Sequence, residues 1–249
     1  MLQSPENFHL SRNLFRRGLE KLTRGKSGSL IEKLRVWRSK PKGYVPEFYV
    51  DWNEKKFDRI ALVNALLSRN ATPNGPKYLE IGCAGDKLFS NVDANHKVGV
   101  DPFAGGTHRM TSDEFFDINI ETFDFVFVDG LHEYHQIRRD VENALRCTEP
   151  GGFIALHDML PRNWIEAHVP CIRQGPWTGD VWKIAFELLK SDGLEFCIVN
   201  IDYGVGVIKK LDKDVTIYKI HDLPKKEYNY YATNRQYLPI VEYEDFIIR

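Results

Sequence analysis

From residue 77 to residue 210 the apolar positions gather into short runs, parted by amphipathic stretches and glycine-rich turns. KYLEIG (77–82), HKVGVD (96–101), FDFVFVDG (123–130) and FIALHD (153–158) read as buried strands; FDFVFVDG, almost wholly apolar, suits a parallel strand covered on both faces. A short helical segment follows the first run through Leu88 and Val92. YHQIRRDVENALRC (134–147) sets Ile137, Val141, Ala144 and Leu145 on one side of a helix. EPGG then turns the chain into FIALHD, and GDVWKIAFELLKSDG (179–193) predicts a further helix, with Asp180 placed to cap or charge its first turn. LEFCIVNI (194–201) and GVGVIKK (204–210) are joined by Asp202-Tyr203, too few residues for a crossover helix, so they must pair as a hairpin. The pattern predicts an α/β, doubly wound, mostly parallel sheet with one antiparallel strand, its ligands at the carboxyl ends of the strands.

The regular pattern delimits a central domain over 76–211. A tyrosine-rich tail (212–249) has weak periodicity and is expected at the periphery or facing a second copy. Residues 1–75 are expected to form a basic helical extension. Charge is nearly balanced overall, but residues 1–43 hold eleven Lys and Arg against Glu6, Glu20 and Glu32, an excess of eight (11 − 3). Leu14, Phe15, Leu19 and Leu22, then Leu30, Ile31, Leu34 and Trp37, recur there at near-helical spacing. Two readings compete: a basic arm touching a membrane surface or an anionic substrate, and helices packed on the domain or on a second subunit of a homo-oligomer, which the pattern favours. No apolar run is long enough to span a bilayer, and the N-terminus lacks the apolar core of a secretory signal. Cys83, Cys147, Cys171 and Cys197 show no CxxC pairing, and a reducing, cytoplasmic compartment is expected.

The stretch KYLEIGCAGDKLF poses the functional question, because a buried strand ends there in Glu80, Gly82 and Gly85. Glycine serves a tight strand-to-helix turn, and it equally lets a nucleotide-like ligand approach the backbone. Asp101 ends the next strand about 20 residues on, the spacing at which an acid reaches a ribose hydroxyl pair. A dinucleotide reading loses on three counts. The glycine spacing is not GxGxxG, Asp86 brings negative charge to the place of a pyrophosphate, and Glu80 suits a cationic ligand with an amino group.

LEIGCAGD, VGVD, FDFVFVDGLHEY, PGGFIALHD and the terminal hairpin together resemble class I S-adenosylmethionine-dependent methyltransferases, over about residues 75 to 210. Within that class the chain is similar to macrolide-sugar O-methyltransferases and the cephalosporin-hydroxylase-like group. The resemblance implies a Rossmann-like, seven-stranded sheet. It implies that Glu80, Gly82 and Gly85 form the methionine-side loop of the S-adenosylmethionine site, that Asp101 holds the ribose, and that Thr111, Ser112 and Asp113 lie at the adenine edge. TSDEF is equally a capped helix start.

Two strand ends carry the remaining polar signal, Asp129-Gly130-Leu131-His132 and His157-Asp158. Neighbouring carboxyl ends of a parallel sheet converge, and methyl transfer to oxygen needs a base to take the acceptor's proton. In the resembled enzymes the DGxH aspartate binds magnesium, the histidine is the base, and two consecutive acids complete the metal shell. The resemblance thus implies Asp129 and Asp158 as ligands of a divalent metal and His132 as base. His157 stands where an acid is expected. An imidazole suits a transition metal better than magnesium, so His157 is either a third ligand or a catalytic or orienting group in a metal-free site. The long loop after Asp158 carries Trp164, Trp177 and Trp182, with Arg162, Arg173 and Lys183, as candidates for the acceptor pocket.

The expectation is an O-methyltransferase acting on a small, sugar-containing acceptor. A nucleic-acid methyltransferase is the alternative, but VDGLH stands where base methylation uses an Asn/Asp-Pro-Pro-aromatic strand end, so no nucleic-acid partner is expected. A non-catalytic cofactor-binding scaffold and a nicotinamide oxidoreductase complete the field.

Overall fold

The computed structural model describes residues 30–69 and 75–248. The chain divides into two compact units, Met1–Lys40 and Pro41–Arg249. In the first, Leu30–Ser39 is a helix with no buried residue. The apolar spacing from Leu14 to Leu22 lies outside the described residues.

The second unit is built on one sheet of seven strands: β1 (Lys77–Ile81), β2 (His96–Val100), β3 (Phe123–Val128), β4 (Thr148–Leu156), β5 (Leu194–Val199), β6 (Val205–Lys210) and β7 (Ile240–Val241), in spatial order β2-β1-β3-β4-β6-β5-β7. β1 pairs parallel with both β2 and β3. The chain therefore runs outward to β2 and returns on the other side of β1, which makes the carboxyl ends of β1 and β3 a topological switch point. β6 lies antiparallel between β4 and β5, the one reversed strand that the short Asp202-Tyr203 link requires. The continuous apolar strands are buried on both faces. Leu79, Ile81, Val126 and Val128 belong to one core, and Tyr78, Phe125 and Phe127 to the other.

Three expectations need correction. EPGG is not a turn before a strand. β4 begins at Thr148, and the extra residues are absorbed as an irregularity in its pairing with β3 between Phe123 and Phe125. The helix expected over 179–193 is only Trp182–Leu188, buried along its whole length. Asp180 does not cap that helix: its Oδ1 accepts the backbone N–H of Tyr134 at 2.6 Å, at the start of the helix Tyr134–Arg146.

The domain boundaries also differ. The helix Arg59–Arg69 buries Leu62, Val63, Leu66 and Leu67 against Tyr78 and Phe125, so residues well before 76 are core rather than extension. The tail is core too. Tyr228, Tyr231 and Leu238 are buried with Trp182, and β7 completes the sheet by pairing Ile198 with Ile240 and Val199 with Val241. Tyrosines can do this without helical periodicity because their rings bury large areas from short, irregular segments.

Candidate active site

The glycine turn after β1 answers two different needs. Gly82 adopts φ +91°, and a Cβ there would lie 2.1 Å from the backbone oxygen of Asp129, so the close approach of β1 and β3 requires glycine. Gly85 has open space where its Cβ would stand. Glu80 is buried, and Tyr78 donates its hydroxyl to Glu80 Oε2 at 2.6 Å. Burial raises the Glu80 carboxyl to about 7, against the opposing pull of the Tyr78 hydrogen bond.

Asp101 follows β2 and is already tied into the loop. Its Oδ1 accepts from the backbone N–H of Phe103 and Ala104 at 2.7 and 2.9 Å, and Oδ2 from Ala84 at 2.9 Å. A carboxylate offers about four lone-pair positions, so room for one further donor remains on Oδ2. Asp86 Oδ1 accepts the Gly106 N–H at 2.7 Å, which pins the same loop against the glycine turn. Thr111, Ser112 and Asp113 sit where the capped-start reading puts them. Thr111 and Glu114 form a capping box at the helix Ser112–Ile118, Ser112 Oγ accepts from Gln136, and Asp113 pairs with Arg139.

The ends of β3 and β4 converge as expected. His132 Nε2 lies 3.2 Å from Asp129 Oδ1, and Nδ1 lies 3.0 Å from Asp158 Oδ2 and 2.8 Å from the Trp177 carbonyl. His157 Nδ1 lies 3.2 Å from Asp129 Oδ1 and 3.4 Å from Asp158 Oδ1. Burial lowers the pKa of both histidines, but Asp158 and Asp129 outweigh it and hold both above the ordinary value, His157 well above. Burial likewise raises the Asp129 carboxyl, and His157 and His132 reverse this and hold it far below the usual range.

Three further residues complete the cluster. Arg59 Nη1 is 3.2 Å from Asp129 Oδ2 and 3.1 and 3.0 Å from the two ring nitrogens of His157. That guanidinium opposes a proton on the ring edge it faces, but the carboxylates around His157 outnumber it. Asp202, from the β5–β6 turn, is 3.5 Å from Arg59 Nε and 3.6 Å from His157 Nε2. The Trp177 ring stacks on His132 at 5.3 Å, and a Cβ on Gly179 would stand 1.8 Å from the His132 carbonyl oxygen. Trp177 stood among the acceptor-pocket candidates, and Asp202 was named only as part of the link between β5 and β6. Arg59 gave no signal, because it lay in the helical extension expected over residues 1–75, apart from the strand ends it reaches.

Among the described residues, the non-glycine residues with left-handed backbone are Ala84, Asp86, Asp158, Asp202 and Tyr203. All lie in the turns just past β1 and β4 or between β5 and β6, where strain persists only if the surroundings enforce it. The loop after Asp158 is less open to ligand than its composition suggests. Trp182 is core, Arg162 is locked to Glu166 at 2.7 Å, and Lys183 binds Asp180 and the Pro224 carbonyl at 2.8 and 2.9 Å.

One group of metal-ligating side chains appears among the described residues: Asp129, His132 and Asp158, with ligand atoms within 4.8 Å of one another. Two carboxylates and an imidazole fit a divalent ion, the mixed set favouring a transition ion over magnesium. His157 is not in this group.

Residues 79–159, about a third of the chain and the span from Glu80 to Asp158, match the family model described as a methyltransferase domain. This segment is similar to methyltransferase domains. No curated protein matches this sequence. Among solved structures, the chain is similar to the methyltransferase MycE of mycinamycin biosynthesis in complex with Mg, SAH and mycinamycin VI. That match has 17% identity and a TM-score of 0.38, and covers 61% of this chain and 55% of that one. It is also similar to the O-methyltransferase TomG from Streptomyces achromogenes in complex with SAM (13%, 0.42, 64% and 92%) and to an O-methyltransferase from Bacillus cereus in complex with SAH (13%, 0.41, 78% and 96%). The chain thus spans little more than half of the MycE chain. At these scores the fold rests on the strand order of the sheet itself.

Proposed function

We propose that the protein is an S-adenosylmethionine-dependent O-methyltransferase acting on a hydroxyl of a small, sugar-containing molecule. The observation that carries this reading is the convergence of Asp129, His132 and Asp158 at the switch point of a methyltransferase domain, beside the Glu80–Asp101 end of β1 and β2. Glu80 would meet the methionine amino group and Asp101 the ribose. The acceptor oxygen attacks the sulfonium methyl carbon, the carbon–sulfur bond breaks to leave the thioether, and the acceptor's proton passes to a base.

His132 suits that role because the Trp177 carbonyl holds Nδ1–H, so the neutral ring keeps its lone pair on Nε2. Nε2 faces Asp129 Oδ1 at 3.2 Å, and an entering hydroxyl must take that place. Asp129 and Asp158 would hold a divalent ion, which would polarise the acceptor hydroxyl. His157 orients Asp129 from the other side. Trp177, stacked on His132, offers an aromatic face beside the proposed base. Among the described residues no helix is long and apolar enough to cross a membrane. We place the reaction in the cytoplasm, with the basic N-terminal arm serving contact with a second copy or an anionic surface.

The test is S-adenosylhomocysteine formation and a 14 Da mass gain across glycosides, sugar nucleotides and catechols, with magnesium or manganese present. His132→Ala should cut turnover by roughly 10²–10⁴-fold with cofactor affinity nearly unchanged. Full rate in His132→Ala, with loss in His157→Ala, would reassign the base to His157.

A further inference from the structure

We propose that Arg59 is a resident cation of this site, competing with a divalent metal for Asp129. The helix Arg59–Arg69 is capped by Asp58, whose Oδ1 accepts from Ile60 and Ala61 N–H at 3.0 and 3.1 Å. A positive side chain at the first position of a helix stands against the helix dipole, so something outside the helix must hold it there. That something is the acidic cluster. Arg59 reaches Asp129 Oδ2 at 3.2 Å and Asp202 Oδ2 at 3.5 Å, with Nη1 against the His157 ring.

Asp129 is therefore divided. Its Oδ2 faces Arg59, while its Oδ1 faces His132 and His157. A metal held by Asp129 and Asp158 must share Asp129 with a guanidinium whose charge is permanent at any working pH. Arg59 Nη1 also stands against both ring nitrogens of His157, at 3.1 and 3.0 Å. The consequence is a site that is charge-satisfied without metal and binds a divalent ion weakly. This rests on the site reading under Proposed function only for where the metal sits.

The full-length protein would be titrated with MnCl2, free Mn2+ being read by its electron paramagnetic resonance signal, for wild type, Arg59→Gln, Arg59→Lys and Asp158→Asn. Arg59→Gln should bind Mn2+ at least roughly tenfold tighter than wild type, Arg59→Lys should stay near wild type, and Asp158→Asn should bind more weakly. In Arg59→Ala, added methylguanidinium should return the Mn2+ affinity toward that of wild type, which separates lost charge from disturbed folding. Equal Mn2+ affinity in wild type and Arg59→Gln, no binding by any of them, or tight wild-type binding abolished by His157→Ala would each overturn the proposal. Calorimetry with S-adenosylhomocysteine on the same samples tests the methyltransferase reading separately: loss of cofactor binding with the Mn2+ pattern intact would sink that reading and leave this one.

Discussion

Tyr78 and Glu80, two residues apart on the same face of β1, share a 2.6 Å hydrogen bond that closes a buried pair beneath the glycine turn. The carboxyl would be held near neutrality by burial, yet it ends the strand against which a cationic cofactor is expected to lie. A group this close to its midpoint makes binding sensitive to pH.

Affinity for S-adenosylhomocysteine should therefore rise from pH 6 to pH 8, because ionised Glu80 attracts the amino group and its pKa lies at about 7. Tyr78→Phe removes a bond that lowers this pKa, so the midpoint should move to higher pH. Calorimetry across the range reads both, and a flat profile in wild type would remove Glu80 from the site.

The same shift has a sign for stability. The folded carboxyl titrates at about 7 against an ordinary 4.5, so the folded state holds the extra proton and stability falls as pH rises between these values. Glu80→Gln keeps an acceptor for Tyr78 and should melt higher than wild type at pH 8 without ligand, while binding cofactor more weakly. Equal melting temperatures at pH 8 would show that the buried charge is compensated.

Asp101 holds three backbone N–H groups, so Asp101→Ala would untie the loop as well as remove a ribose ligand. Asp101→Asn is the cleaner variant. It should lose about 1.5–3 kcal/mol of cofactor affinity, the usual value of a charge-assisted hydrogen bond. Unchanged affinity by calorimetry would sink the ribose assignment.

Gly179 sits at φ +60° with the His132 carbonyl oxygen where a Cβ would go. Gly179→Ala must push the Trp177 loop away from His132. Left-handed strain alone costs about 1–3 kcal/mol, which for a chain of this size means a drop of at least ~2–4 °C in Tm. Turnover should fall with it, since the Trp177 carbonyl no longer orients Nδ1. Wild-type Tm and rate together would show that the loop has slack.

Residues 41–249 form a compact unit by themselves. Deleting residues 1–40 should leave cofactor affinity and Tm close to those of the full chain while altering assembly or acceptor use. Failure of the shortened chain to fold, read by circular dichroism, would make the arm part of the core.

The sequence by itself determined the strands of the central domain, the hairpin and which polar side chains gather at the ends of β3 and β4. Buried parallel strands must be apolar throughout, and a two-residue link admits only an antiparallel return. Asp129, His132, His157 and Asp158 were legible because the carboxyl ends of neighbouring strands converge in any such sheet. The glycine turn was legible as a place but not as a cause, since only the packing shows Gly82 held by the Asp129 carbonyl and Gly85 facing open space. Arg59, Asp202 and the divided Asp129 belong wholly to the tertiary structure. Arg59 lies seventy residues before Asp129, on a helix expected to be an appendage, and no local pattern encodes which distant carboxylate a lone arginine will meet. The tail's place in the core was decided the same way: β7 is two residues long, and hydrogen bonding to β5 defines it rather than any periodicity of its own.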